Sequence, residues 1–159
     1  MPPIGVLMKR GFFNLWEFLS KTDYEQHGIR GWRFVCPSLL GVMNCLREDL
    51  GAAITANNWY YGGALHWRGV RTLKCPEYSI TSMHAWGRAL DFDVKGYTPR
   101  EVVKFIIQNR DRYPEIRFIE IDINWVHIDV GQREQDDHDL QLWSPERGFV
   151  TIERYLAEN

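Results

Sequence analysis

The sequence predicts an α+β fold, in which a small antiparallel sheet carries helices packed on one side. The hydrophobic pattern runs helix, helix, strand, long loop, strand, helix, strand, strand along 159 residues. Hydrophobic residues make up 45% of the chain, and no linker or repeat divides it. We therefore expect a single domain with a core over about 12–130 and a C-terminal extension over 131–159, which packs back through Trp143, Phe149, Ile152 and Tyr155.

The first third of the chain predicts two helices and one short strand. Residues 12–24 carry apolar side chains at helical spacing, namely Phe12, Leu15, Trp16 and Leu19. A second helix is expected over 38–50, capped by Ser38 and ended by Gly51. Residues 52–58, AAITANN, are typical of a short strand.

Residues 58–80 predict a long ordered loop. They are rich in Gly, Arg and aromatic residues and have no clear period. Trp59, Tyr60, Tyr61 and Trp67 argue against disorder, because disordered segments contain few aromatic residues.

A strand followed by a well-marked helix comes next. In RALDFDV, residues 88–94, apolar side chains alternate with Ala89, Asp91 and Asp93, so the two sets point to opposite faces. Thr98 then predicts a helix start, because Pro99 suits the first helical position and Glu101 completes a capping box.

Two further strands, IRFIEID and NWVHIDV, predict an antiparallel hairpin. The expected tight turn lies at Asp122 and Ile123, which would place Glu120 opposite Trp125. Trp125 and His127 share a face by alternation, so Glu120 would share that face too.

Composition argues against several classes of protein. A formal charge of -2 and a pI near 6.2 disfavour a nucleic-acid binder. No apolar stretch reaches the length of about 18 residues that a membrane span needs. Lys9 and Arg10 follow the only apolar run near the N-terminus, the wrong order for a secretory signal, so we expect cytoplasmic synthesis without a signal peptide. Three cysteines, Cys36, Cys45 and Cys75, match no metal motif and are expected to be free thiols.

Three residues could form a metal site. His84 lies just before the strand that carries Asp91, and His127 lies in the last strand of the hairpin. Zinc accepts neutral imidazole and carboxylate ligands, and a catalytic site supplies three of them and keeps one position open. The alternative for each residue is ordinary: a solvated strand carboxylate, or a buried histidine bonded to a backbone carbonyl.

A resemblance to a known family supports the metal interpretation. HAWGRALD, residues 84–91, followed by WVHID, residues 125–129, resembles the zinc signature of the M15 family of peptidases. That family includes D-Ala-D-Ala carboxypeptidases, vancomycin-resistance dipeptidases and phage endolysins, and it is related to the hedgehog signalling domain. The resemblance, closest to small single-domain phage members, implies a hedgehog-like or DD-peptidase-like fold and Zn2+ bound by His84, Asp91 and His127.

The family's chemistry requires an acidic general base that activates a zinc-bound water and passes its proton to the leaving amine. Many relatives carry an acidic residue three positions before the last histidine, where this chain has Asn124. Glu120 is the preferred substitute because of its expected face, and Asp122 is the alternative.

Substrate binding is expected from the aromatic loop and the turn before His84. In relatives an arginine of this region stabilises the oxyanion or binds the peptide carboxylate. Arg71 is the preferred candidate and Arg68 the alternative, while a structural salt bridge is the ordinary interpretation of either. Ser82 would bind substrate or cap the turn, and Tyr61 would line the cleft.

The resemblance therefore implies a zinc-dependent peptidase that hydrolyses stem or cross-link peptides of peptidoglycan. It would act on the bacterial cell wall as a phage lysin or belong to the virion, with a monomer as the expected state. A catalytically inactive zinc-binding module of the same fold is the main alternative, which Asn124 favours and Glu120 opposes. A protein without a metal is the third.

Overall fold

A computed structural model describes residues 8–131 and 139–158. Residues 1–7 and 132–138, which include parts of the N-terminal apolar run and of the expected C-terminal extension, lie outside the described residues. The described chain has four α-helices: α1 (Lys21–His27), α2 (Pro37–Leu50), α3 (Pro99–Gln108) and α4 (Ile152–Ala157). Its strands are β1 (Lys9–Arg10), β2 (Phe13–Asn14), β3 (Ile54–Thr55), β4 (Ala89–Val94), β5 (Phe118–Glu120), β6 (Val126–Asp129), β7 (Gln141–Ser144) and β8 (Gly148–Val150).

Six of these strands form one sheet in the order β3-β4-β6-β5-β7-β8. Neighbours run antiparallel except β5 and β7, which are parallel. The sheet is therefore mixed, and the expectation of a purely antiparallel sheet was wrong. The difference arises because β7 pairs with the edge of β5 that β6 leaves free and runs in the same direction as β5. The α+β class is confirmed.

One face of the sheet is apolar and belongs to the hydrophobic core. Its central row consists of Leu90, Ile128, Ile119, Leu142 and Val150, which lie opposite one another across five strands. All five are buried, and they join a single cluster with the apolar stripes of α2 and α3. Removing this much apolar surface from water is the main stabilising contribution to the fold.

The opposite face carries polar side chains near the end of the sheet where β4 finishes and β6 begins. Its central row contains Asp91, His127, Glu120 and Trp143, again opposite one another. This row positions the candidate site.

The helix boundaries in the second half follow the sequence closely. Thr98 caps α3 with both halves of a capping box, and Pro99 takes the first turn. The Thr98 amide donates to the Glu101 carboxylate at 2.7 Å, and the Glu101 amide donates back to the Thr98 hydroxyl at 3.2 Å. In the first half, Gly51 ends α2 at a φ of 59°, as predicted. Ser38 is not its cap, because the helix already begins at Pro37 and Cys36 precedes it.

The expected continuous helix over 12–24 was wrong. Its first residues form strand β2, which pairs with β1. A short 3-10 helix covers Leu15–Glu17, and α1 begins only at Lys21. Two caps explain the break: the Glu17 carboxylate binds the Asn14 amide at 2.7 Å, and the Ser20 hydroxyl accepts from the Asp23 amide at 3.1 Å. Each cap starts a new helical segment.

The C-terminal segment adds to the sheet. Its buried apolar side chains are Leu140, Leu142, Val150 and Tyr155, whereas Phe149 is 69% exposed. The expectation that Phe149 packs back was therefore wrong, because alternation along β8 turns Val150 inward. Within the described residues, no helix combines the length and the apolar character that crossing a bilayer requires. The three cysteines are free thiols, as predicted.

Candidate metal centre

His84, Asp91 and His127 converge at the polar face of the sheet. Asp91 and His127 lie directly opposite each other on β4 and β6. His84 belongs to the 3-10 helix Met83–Trp86 that leads into β4. One potential ligand atom from each of the three lies within 4.8 Å of the others. We call these three residues the metal cluster.

Gly87 brings His84 beside the strand. It ends the 3-10 helix with a φ of 65°, a conformation that favours glycine. A side chain at this position would also place its Cβ 1.6 Å from the Phe34 carbonyl oxygen. The two backbone segments lie this close together because the Cys36 amide donates a hydrogen bond to the Gly87 carbonyl at 2.9 Å. The glycine between the two ligands is therefore required by the backbone.

Asp91 is the centre of the cluster's hydrogen bonds. Its Oδ1 lies 2.7 Å from His127 Nδ1 and 3.4 Å from His84 Nε2. Burial alone would raise the pKa of Asp91, but the opposing effects, of which the hydrogen bond from His127 is the largest, outweigh burial and hold the pKa well below its ordinary value. Asp91 is thus a carboxylate, and a buried carboxylate needs donors or a cation.

The tautomer of His84 suits a metal ligand. Its Nδ1 lies 2.7 Å from the Gly69 carbonyl oxygen, which can only accept, so this nitrogen carries the proton. In the neutral ring, Nε2 then presents a lone pair toward the anionic Asp91 oxygen. A cation shared between the two atoms removes this conflict.

One pair of donor atoms also has the spacing that a shared zinc ion requires. Ligand atoms about 2.0 Å from a tetrahedral zinc lie about 3.3 Å from one another. The separation of 3.4 Å between His84 Nε2 and Asp91 Oδ1 matches that spacing. A carbonyl bonded to the far nitrogen of a histidine ligand is the usual way proteins orient such a ring.

Both candidate arginines are engaged by carboxylates of β4. Arg71 donates from Nη2 to Asp91 Oδ2 at 2.8 Å and from Nε to the Trp67 carbonyl at 2.8 Å. Arg68 forms a close ion pair with Asp93. Arg71 binds Asp91 through Oδ2 and therefore leaves Oδ1 facing the histidines. The two guanidinium groups bind strand carboxylates, which was the ordinary interpretation of either residue.

Glu120 lies in the same row as the metal cluster. It is paired with His127, two residues along β6 from the expected partner Trp125, because the connection is longer than a two-residue turn. A shift of two residues preserves the face, whereas a shift of one would have reversed it. Glu120 is half-buried, and its carboxylate makes no hydrogen bond or ion pair within the described chain.

Asp122 has a different setting. It adopts a φ of 61° in the connection, and its Oδ2 accepts from Arg147 Nε at 2.9 Å and Nη2 at 2.8 Å. Asn124 is exposed in the same connection. Glu120 therefore shares a row with the cluster, and Asp122 is committed to an ion pair.

The remaining candidates have structural contacts. The Ser82 hydroxyl caps the 3-10 helix by accepting from the His84 amide at 3.3 Å. Tyr61 lies away from the cluster and packs against Trp16. Sequence reasoning missed two neighbours of the ligands. The sequence contains no signal for the Gly69 carbonyl. The ring of Phe118 packs edge-on to His127 at 5.9 Å, and this position could have been predicted, because Phe118 and Glu120 alternate onto the same face of β5.

No protein-family model, curated protein or solved structure matches this chain. Function is therefore inferred from the side-chain geometry together with the motif resemblance.

Proposed function

We propose that this chain is a zinc-dependent peptidase that hydrolyses stem or cross-link peptides of peptidoglycan. The observation that carries the proposal is the row formed by Asp91, His127 and Glu120, with His84 beside it. The row combines a three-ligand donor set with an acidic side chain that has no hydrogen bond or ion pair to any described residue. The resemblance of residues 84–91 and 125–129 to the zinc peptidase signature supplies the substrate class.

Each residue has a distinct task. His84, Asp91 and His127 would hold the ion, which when bound acts as a Lewis acid toward a peptide carbonyl. Glu120 takes a proton from the attacking water and gives it to the amine that leaves. Arg71 orients Asp91 through its guanidinium, and the Gly69 carbonyl orients His84. The polar chemistry thus lies on one face, and the apolar face anchors the same strands in the core.

A second candidate, a zinc-binding module without turnover, is favoured by one observation. Asn124 occupies the position where the resemblance implies an acid, and it is exposed in the connection before β6. Under this alternative Glu120 is only a half-buried strand carboxylate. The two candidates differ in what Glu120 does and agree on the metal.

The test compares Glu120→Gln with Asp122→Asn. Both substitutions replace a carboxylate by an amide of equal size, and their positions are two residues apart. Glu120→Gln should keep bound zinc and lose hydrolysis of purified peptidoglycan by about 10²–10⁴-fold, the usual loss when a general base is removed. Asp122→Asn should hydrolyse at the wild-type rate. Release of new amino termini is measured with and without a chelator, and zinc content is measured in each protein.

Three results would contradict the proposal. Undiminished hydrolysis by Glu120→Gln rejects the base. Hydrolysis that survives complete chelation rejects the metal. Wild-type protein that holds zinc but releases no amino termini supports the module without turnover.

A further inference from the structure

Two exposed tyrosines and one buried tryptophan form a rigid aromatic corner, which we define as Trp16, Tyr60 and Tyr61. Tyr60 stacks on Trp16 with ring centroids 5.1 Å apart and an interplanar angle of 17°, so one of its faces is covered. Tyr61 stands upright against both rings, at 84° to Trp16 and 90° to Tyr60. The result is a flat ring with a second ring as its wall.

This corner is open to solvent although it is well built. Tyr60 is 54% exposed and Tyr61 is 80% exposed. Their segment is a 3-10 helix, Trp59–Tyr61, anchored by the Trp59 indole N–H on the Leu19 carbonyl at 2.8 Å. Neither tyrosine hydroxyl has a hydrogen-bond partner in the described part of the chain. Large exposed aromatic side chains held in place are typical of recognition surfaces.

A series of side-chain contacts leads from the corner to Arg71, which binds the metal cluster. Trp59, which contacts both Trp16 and Tyr60, stacks on His66 with centroids 6.3 Å apart. His66 lines a cleft of about 280 Å³ together with Arg68 and Arg71. Arg71, one of the residues that line this cleft, binds Asp91 of the metal cluster. The corner is therefore linked to the residues that would hold zinc through Trp59, His66 and the lining of the cleft.

We propose that the aromatic corner binds the glycan strand of peptidoglycan, a sugar polymer, while the attached peptide reaches the metal cluster. The C–H face of a pyranose ring is apolar and slightly positive, so it stacks on the electron-rich face of an aromatic ring. The free tyrosine hydroxyls supply donors and acceptors for the sugar hydroxyls. The inference rests on the proposed function, because peptides of this polymer are attached to sugars and a substrate that spans the cleft must extend from peptide to sugar.

The binding test needs no hydrolysis. Peptide-free glycan strands are titrated against the wild type, Tyr60→Ala and Tyr61→Ala by chemical-shift perturbation, with free stem peptides as the second probe. Phe149→Ala is the matched control, because it removes an aromatic ring of similar exposure from strand β8. Each tyrosine variant should bind glycan about tenfold more weakly, the expected loss for truncating a central contact. Tyr61→Phe should lose less, and Phe149→Ala should bind like the wild type.

The hydrolysis readout separates the two proposals. Tyr61→Ala should lose more activity on intact sacculi than on short soluble stem peptides, whereas Phe149→Ala should cleave both at the wild-type rate. A protein that binds glycan through the corner but cleaves nothing refutes the peptidase and leaves the corner's role standing. Three results would overturn the inference: no glycan binding by the wild type, glycan binding by Tyr60→Ala and Tyr61→Ala that equals that of the wild type, or chemical shifts at the corner caused by stem peptide and not by glycan. The high exposure of Tyr61 makes its variant the one least coupled to folding.

Discussion

Two regions at one end of the sheet differ in whether each of their carboxylates forms an ion pair. The polar row of Asp91, His127 and Glu120 brings two carboxylates to one histidine, and the Glu120 carboxylate has no hydrogen bond or ion pair among the described residues. In the C-terminal clasp, defined as Asp122, Arg147 and Glu158, one guanidinium binds both acids, with Arg147 Nη1 2.7 Å from Glu158. In the clasp one guanidinium neutralises both acids, whereas in the row Arg71 binds Asp91 and no described guanidinium or ammonium group pairs with Glu120.

The difference separates two similar residues. Glu120 and Asp122 are two positions apart, and both were candidates for the general base. The clasp neutralises Asp122, so the residue is already used in holding the connection after β5. The row places Glu120 beside the cluster, with no ion pair to any residue that the structure describes. A group that must exchange protons requires a setting like that of Glu120, because an ion pair such as that of Asp122 holds a carboxylate in its charged form.

The largest expected effect comes from breaking the row at a ligand. His127→Ala should abolish stoichiometric zinc binding and with it the stabilisation that zinc gives to the folded chain. At a free zinc concentration about 1,000-fold above the dissociation constant, that stabilisation is about 4 kcal/mol. The measurement is metal content together with thermal unfolding with and without added zinc.

The control for this variant is His27→Ala. His27 packs edge-on to Phe34 at 4.8 Å and takes no part in the cluster. It should bind zinc like the wild type. Equal zinc-dependent stabilisation of His127→Ala and the wild type would show that the row is not a metal site.

The next effect tests whether Arg71 orients a ligand. Arg71→Ala removes the donor to Asp91 Oδ2 and should weaken zinc binding about 10–100-fold, the usual cost of losing a partner that holds a ligand in place. Arg68→Ala is the matched variant, since it lies in the same loop and binds Asp93, which is not a ligand. Competition with a chromogenic chelator measures both. Equal zinc affinities for the two variants would mean that Arg71 acts elsewhere, for example on substrate.

The sequence predicts this region well because its signals are local. Alternation in β4 fixed the face of Asp91, and alternation in β6 fixed the face of His127. The face of Glu120 was also predicted, although its partner was not, because the true register differs by an even number of residues. Face depends only on parity, while the partner depends on the length of the connection.

The features that sequence reasoning missed depend on competition or on distance along the chain. Residues 12–24 carry a helical apolar pattern, but the side chains of Glu17 and Ser20 bind backbone amides and divide it. The parallel pairing of β7 with β5 joins residues more than 20 positions apart, and no local pattern encodes it. The contact from Arg71 to Asp91 crosses 20 residues in the same way.

A smaller effect is expected from opening the clasp. Asp122→Asn removes the ion pair with Arg147 but tolerates the positive φ of 61°. Both side chains are 27% exposed, so the loss in unfolding free energy should be no more than about 1 kcal/mol. Urea unfolding measures it, with peptidoglycan hydrolysis expected to stay at the wild-type level. A loss of zinc in this variant would show that the clasp and the row are coupled.

The smallest expected effect is the pH dependence of the stabilisation that the Asp122–Arg147 ion pair gives to the fold. Burial alone would raise the pKa of Asp122, but hydrogen bonds from Ser144 and Arg147 outweigh burial and lower it. A carboxyl whose folded pKa is depressed stabilises the fold above its unfolded pKa of about 4, and the contribution disappears as pH falls through the folded value. The difference between wild type and Asp122→Asn should therefore be constant from about pH 7 to pH 5 and shrink below about pH 4.

Urea unfolding in chelator checks this, since it keeps the metal cluster equally empty in both proteins and leaves the clasp as the difference between them. A difference that grows as the pH falls would mean that Asp122 is held in its protonated form. Asp122 would then be able to exchange a proton, as is proposed for Glu120, and would again be a candidate for the general base.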